Sequence, residues 1–98
     1  MEFLVEFELA IPEGVTEAEL EDRQRAEAAA ARSLADQGHL VRLWKASAGA
    51  GQTTVLGLYR AETEAEMDEL LAALPLAPWM DASVTPLVAH PNDPVRSA

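Results

Sequence analysis

The sequence predicts an α+β fold of four strands and two helices in the order β-α-β-β-α-β. Three observations carry that prediction. Apolar and polar residues alternate along residues 2–11, the period of a strand, and residues 52–60 carry apolar side chains on both sides of a further strand. Two Thr-x-x-Glu capping boxes, Thr16 with Glu19 and Thr63 with Glu66, each open a helical stretch. Breakers fall at the junctions: Pro12-Glu13-Gly14, Gly38 and Ala48-Gly49-Ala50-Gly51.

Each element follows from local chemistry. In residues 2–11, Phe3, Val5, Phe7 and Leu9 alternate with Glu2, Leu4, Glu6 and Glu8. The first helix starts after Thr16 with Glu17, Glu19, Glu21 and Asp22 crowded at its N-terminus, where the macrodipole favours acids. It runs through the alanine-rich tract Ala26–Ala31 and stops at Gly38. Residues 39–47, with Val41, Leu43 and Trp44, read as a second strand. Ala48–Gly51 precedes a strand rather than a helix, so it reads as a hairpin turn and not a phosphate loop. Residues 52–60 form the third strand, and Thr63 caps a second helix that ends near Ala73. An apolar connection, Leu74–Asp81, leads to a fourth strand over Ala82–Ala89. Pro86 lies inside that strand and cannot donate to a ladder, which predicts an edge position. The last eight residues read as a loose or partner-bound tail.

This element order is that of the ferredoxin-like plait. Its two helices cover one sheet face, yet both faces carry bulk. Val55 and Tyr59 fall on one side of the third strand and Leu56 and Leu58 on the other. A sheet with two apolar faces and helices on one needs a second cover. A second subunit's sheet would supply it, which makes the expected architecture a dimeric α+β barrel and the expected partner a second copy of the chain.

Ninety-eight residues allow a single domain, 1–98. The apolar share of 49% is that of a folded globule and argues against disorder. There is no cysteine, hence no disulfide framework and no thiolate chemistry. The N-terminus lacks the basic start and long apolar run of a signal peptide, and no stretch approaches a membrane span. A soluble cytoplasmic protein is the expectation. Seventeen acids against seven Lys and Arg give a net charge of −10, which repels nucleic acid and anionic membranes.

Glu27 is the sharpest candidate for chemistry. The inward stripe of the first helix runs Leu20, Gln24, Glu27, Ala31, Leu34 at helical spacing. A carboxylate in the middle of that stripe is unusual, and its alanine neighbours leave space above the sheet. Such a group can take and return a proton. The alternative is a slightly rotated helix, with Glu27 solvated and paired to Arg23 four residues earlier. Arg23 and Arg42 could reach the mouth of such a pocket and hold a small carboxylate by a guanidinium fork. Arg42 is expected to share a strand face with Leu40 and Trp44. Trp44 and Trp79 read as core or interface residues, or as walls of an apolar pocket. Gln52 and Thr54 begin the third strand and could donate hydrogen bonds to a carbonyl. His39 and His90 each sit at a strand end. Two such histidines, without cysteine or clustered acids, make a poor metal site. No Ser-His-Asp spacing, zinc motif or nucleotide fingerprint is present, which leaves a cofactor-independent reaction for any enzyme here.

The connection Leu74-Pro75-Leu76-Ala77-Pro78-Trp79-Met80-Asp81 resembles the LPLFPYMD segment of muconolactone Δ-isomerases, which likewise end in a strand and His-Pro, here His90-Pro91. Gly38, Leu43-Trp44, Ile11-Pro12 and Glu27 also fall at family-like positions. The resemblance covers most of the chain. It implies an enzyme that moves a double bond within a five-membered lactone bearing an acetate arm, a step of catechol degradation through the β-ketoadipate pathway. It implies rings of dimers, Glu27 as the base, and His90 as the better functional choice of the two histidines. It also implies a small anionic lactone as ligand and no cofactor. The polar positions depart from the family pattern: Gln24 stands where a Lys is common, and Ala50 and Gln52 where a Tyr and an Asn are common. Arg23 lies about 100° round the helix from Gln24, so it does not replace that Lys equivalently. A relative acting on a different lactone, a non-catalytic oligomeric or ligand-binding module, and a cofactor-free oxygenase or dehalogenating relative all remain open at this point.

Overall fold

The computed structural model describes residues 1–47 and 53–95; the 48–51 turn and Gln52 lie outside the described residues. The elements are β1 (Glu2–Leu9), α1 (Glu17–Asp36), β2 (Leu40–Ser47), β3 (Thr53–Arg60), α2 (Glu64–Ala72), a 3₁₀ turn (Ala77–Trp79) and β4 (Met80–Leu87). The strands form one antiparallel sheet in the order β2-β3-β1-β4. This is the predicted α+β plait, and Pro86 lies on an edge strand as expected. Among the described residues no helix is long and apolar enough to cross a membrane.

Both helices start where their caps require. The Thr16 hydroxyl accepts the Glu19 N–H at 3.1 Å, and Thr63 accepts the Glu66 N–H at 3.0 Å. The return bond of the second box goes one residue further back than the standard pattern, from the Glu62 N–H to the Glu66 carboxylate. At the other end of α1, Gly38 has φ +83°, its N–H bonds to Ala35 O, and the His39 N–H bonds to Leu34 O. That pair of bonds satisfies the last helical carbonyls and needs the left-handed conformation glycine tolerates.

β1 is central and supplies the core. Phe3, Val5 and Phe7 point to the helix face and are almost wholly buried, with Tyr59, Leu34, Met67, Leu71 and Leu74 around them. The register places Leu4 beside Leu58, Arg42 beside Leu58, and Trp44 beside Leu56 on the opposite face.

Two local readings change. A bulge between Leu40 and Arg42 turns Leu40 toward Tyr59 and the core. Leu40 therefore does not share a face with Arg42 and Trp44. β4 begins at Met80, two residues before the predicted start, because the 3₁₀ turn brings the chain straight into register. The Ala10 N–H bonds Trp79 O at 2.6 Å and Leu9 pairs with Met80.

Candidate active site

The alanines of α1 are too short to fill the space between the helix and the sheet. A cavity of about 340 Å³ opens there. Phe7 and Leu9 of β1 and Val55 and Tyr59 of β3 form its floor, and Gln24, Glu27, Ala28 and Ala31 its roof. Leu43, Leu76 and Met80 complete the wall. The lining is apolar apart from one carboxylate, one amide and one phenol. Among the described residues no Lys or Arg lines it.

Glu27 faces this cavity from the half-buried stripe of α1. Its Oε1 accepts the Leu76 N–H at 2.9 Å. The second oxygen has no hydrogen-bond partner among the described residues, so one oxygen is anchored and the other can act. One turn earlier, Arg23 donates from Nη1 to Pro75 O at 2.7 Å, and its guanidinium carbon stands 4.7 Å from the centre of the Trp79 ring. Arg23 and Glu27 do not form the ion pair that the rotated-helix alternative requires. Instead, each grips the apolar connection after α2. Trp79 is half-buried under that guanidinium rather than part of the core.

Tyr59 is the residue that sequence reasoning passed over. Its phenol is pushed up to about 12, first by burial and then by the charge of Glu27. It therefore remains a protonated donor at neutral pH. The signal was present: Tyr59 shares a strand face with Val55, with a glycine between them. On that pattern it reads as core.

The other predicted site residues are distributed elsewhere within the chain. Arg42, Trp44 and Thr54 fall on the sheet face away from the helices, with the Arg42 guanidinium 5.0 Å from the centre of the Trp44 ring. The expectation that Arg42 reaches the pocket mouth is therefore not met within one subunit. His90 lies beyond β4, where its Nδ1 accepts the Asn92 N–H at 2.9 Å, beside Glu2 and Leu87 rather than the cavity. His39 bonds Arg60 O through Nδ1 at the sheet end. Gln52 lies outside the described residues. Among the described residues no group of His, Cys, Asp or Glu is arranged to hold a metal ion.

Comparison with known proteins gives concordant results. The family model described as muconolactone delta-isomerase matches residues 1–93. A muconolactone Delta-isomerase from Cupriavidus pinatubonensis is 29% identical over 92 residues, covering 94% of this chain and 97% of the relative. A crystal structure of muconolactone isomerase superposes with a TM-score of 0.83 at 25% identity, over 99% of this chain and 98% of that one. With a family match that spans both helices, all four strands and the Glu27-bearing cavity, the chain belongs to the muconolactone delta-isomerase family.

Proposed function

We propose that this protein is a cofactor-independent isomerase of a small unsaturated lactone, and that Glu27 carries the proton. The observation that supports this most is the state of the Glu27 carboxylate. It stands in an apolar cavity with one oxygen held by the Leu76 N–H and the other unengaged. Anchoring one oxygen fixes the direction of the other, which is what proton transfer to a bound carbon acid requires.

In the reaction, the unengaged oxygen takes the proton from the ring carbon γ to the lactone carbonyl. The C–H electron pair moves through the double bond toward the carbonyl oxygen. The Glu27 carboxylic acid then returns the proton to the α carbon, and the double bond has moved one position. No electron is gained or lost, so no redox partner enters. For a lactone with an acetate arm, Arg23 is the cation of choice. It lies one turn from Glu27 on the same helix, and its guanidinium keeps donors beyond the one spent on Pro75 O. With muconolactone as the substrate, the protein would act in catechol degradation. Arg42, Trp44 and Thr54 belong to a subunit interface in this reading, since they share the face that the helices leave open. In this reading the working form is a homo-oligomer, a dimer at least, in the cytoplasm, and the uncovered apolar face supports the association.

A second reading is a non-catalytic ligand-binding module on the same fold. It is favoured by one observation: no cation lines the cavity among the described residues, and Gln24 occupies the roof.

The test is Glu27→Gln, which keeps the shape and the acceptor for the Leu76 N–H. With muconolactone and related unsaturated lactones as substrates, kcat should fall by about 10²–10⁴-fold while fold and assembly are retained. Wild-type protein inactive on every such lactone would support the module. Full activity in the variant would remove Glu27 from the mechanism.

A further inference from the structure

We propose that the Tyr59 hydroxyl is the donor that binds the substrate's carbonyl oxygen in this cavity and holds the negative charge that gathers there. The proposal rests on the isomerase reading for its chemistry, and on separate geometry for its site.

The geometry begins with Gly57. Tyr59 pairs across the ladder with Phe3, yet its ring meets Phe7, four residues further along β1, edge-on at 6.1 Å and 64°. It reaches that far because Gly57, two residues before it on the same face, presents no side chain. A Cβ at position 57 would collide with the Tyr59 ring. The glycine thus seats the ring along the strand and carries the phenol toward the cavity beneath α1. The residue is only 3% exposed.

The hydroxyl itself has no hydrogen-bond partner among the described residues. No enclosed polar side-chain atom among them lacks a partner, so this hydroxyl keeps some accessible surface, and Tyr59 lines the cavity. A tyrosine needed only for packing gains nothing from an unpartnered hydroxyl, since desolvating one without a partner disfavours the fold. Its use is toward whatever fills the cavity.

The charge of Glu27 acts on Tyr59, so base and donor share one weakly screened space. A carboxylate base and a neutral phenol donor divide the work of an allylic shift cleanly. As Glu27 takes the γ proton, the electron pair of that C–H bond flows through the conjugated C=C and the carbonyl π pair settles on oxygen. The Tyr59 O–H donates to that oxygen without transferring its proton. When Glu27 gives the proton back at the α carbon, the carbonyl re-forms and the phenol is unchanged. A donor aimed at developing charge in a water-poor site is the arrangement that lowers such a barrier.

Tyr59→Phe tests this and retains the ring. Loss of one such donor should lower kcat by about 10²–10³-fold, with a much smaller change in KM and the thermal midpoint preserved. A kcat equal to that of wild type would overturn the proposal. A second measurement works without turnover: the infrared carbonyl stretch of γ-valerolactone, ¹³C-labelled at the carbonyl, bound to each protein. It should shift to lower frequency in wild type relative to Tyr59→Phe. Identical frequencies, or no binding of the lactone to wild type at millimolar concentration, would overturn the proposal. A shifted carbonyl in a wild-type protein that turns over no lactone would retain Tyr59 as the carbonyl donor and remove the isomerase reading alone.

Discussion

On one face of the sheet, Phe3, Val5 and Phe7 vanish beneath α1 and α2; on the other, Leu4, Leu56 and Leu58 remain partly open and Trp44 is 39% exposed. The same four strands build both faces, so the difference lies in what covers them. The helix face is closed by its own chain, but incompletely. Ala28 and Ala31 leave a cavity where larger side chains would have left core. The open face has an apolar centre, formed by Leu4, Leu56 and Leu58, inside a margin that includes Glu2, Glu6 and Arg42. A patch of that kind suits association. The exposed Glu2–Arg60 ion pair at its margin contributes little to stability. One face therefore holds a ligand-sized space, and the other presents an open apolar patch.

The contrast is most sharply broken by Leu58→Glu. Leu58 lies between Leu4 and Arg42 on the open face, so a single subunit can pair the new carboxylate with Arg42. An interface centred there cannot bury it without penalty. Light scattering should show the wild-type oligomer replaced by a folded monomer. An unchanged particle size would show that this face is not the contact surface.

Phe3→Ala probes the other face. Phe3 is fully buried, and truncation should destabilise the fold by about 3–5 kcal/mol in urea unfolding. A loss below 1 kcal/mol would mean that the helix-covered face is not the main core.

The smallest effect is alkaline. Tyr59 titrates near 12 in the folded chain against an ordinary value of 10.0. The folded state therefore retains a proton that the unfolded state releases between those values. The stabilisation is complete below pH 10 and falls by about 2 kcal/mol as pH approaches 12. Urea midpoints across this range should decline less steeply in Tyr59→Phe than in wild type. Parallel declines would show that the Tyr59 phenol is not buried.

Glu27 was legible because helical period is a local property: once Leu20 and Leu34 define a stripe, the residue midway between them faces the sheet. Its partner was not. The Leu76 N–H is 49 residues away, and the Arg23 bond to Pro75 O spans 52. Neither distance leaves a trace in periodicity. Tyr59 was hidden for another reason. Alternation assigns a face but not how far a ring leans along it, and that reach depends on the empty position at Gly57. Arg42 and Trp44 were correctly grouped with one another, but against the wrong neighbour, because a one-residue bulge turns Leu40 to the other side.

The sequence by itself determined the order of elements, the two capped helix starts, the glycine stop at Gly38 and the edge position of β4. Each of these is decided within a few residues by backbone sterics and hydrogen-bond supply. Only the tertiary structure decided that the apolar connection after α2 would be tied down by Arg23 and Glu27. It alone brought the phenol of Tyr59 into one cavity with the Glu27 carboxylate while turning Arg42, Trp44 and Thr54 to the opposite face. Those outcomes depend on strand register and on where short side chains leave space between a helix and a sheet, and both are set only when distant segments pack.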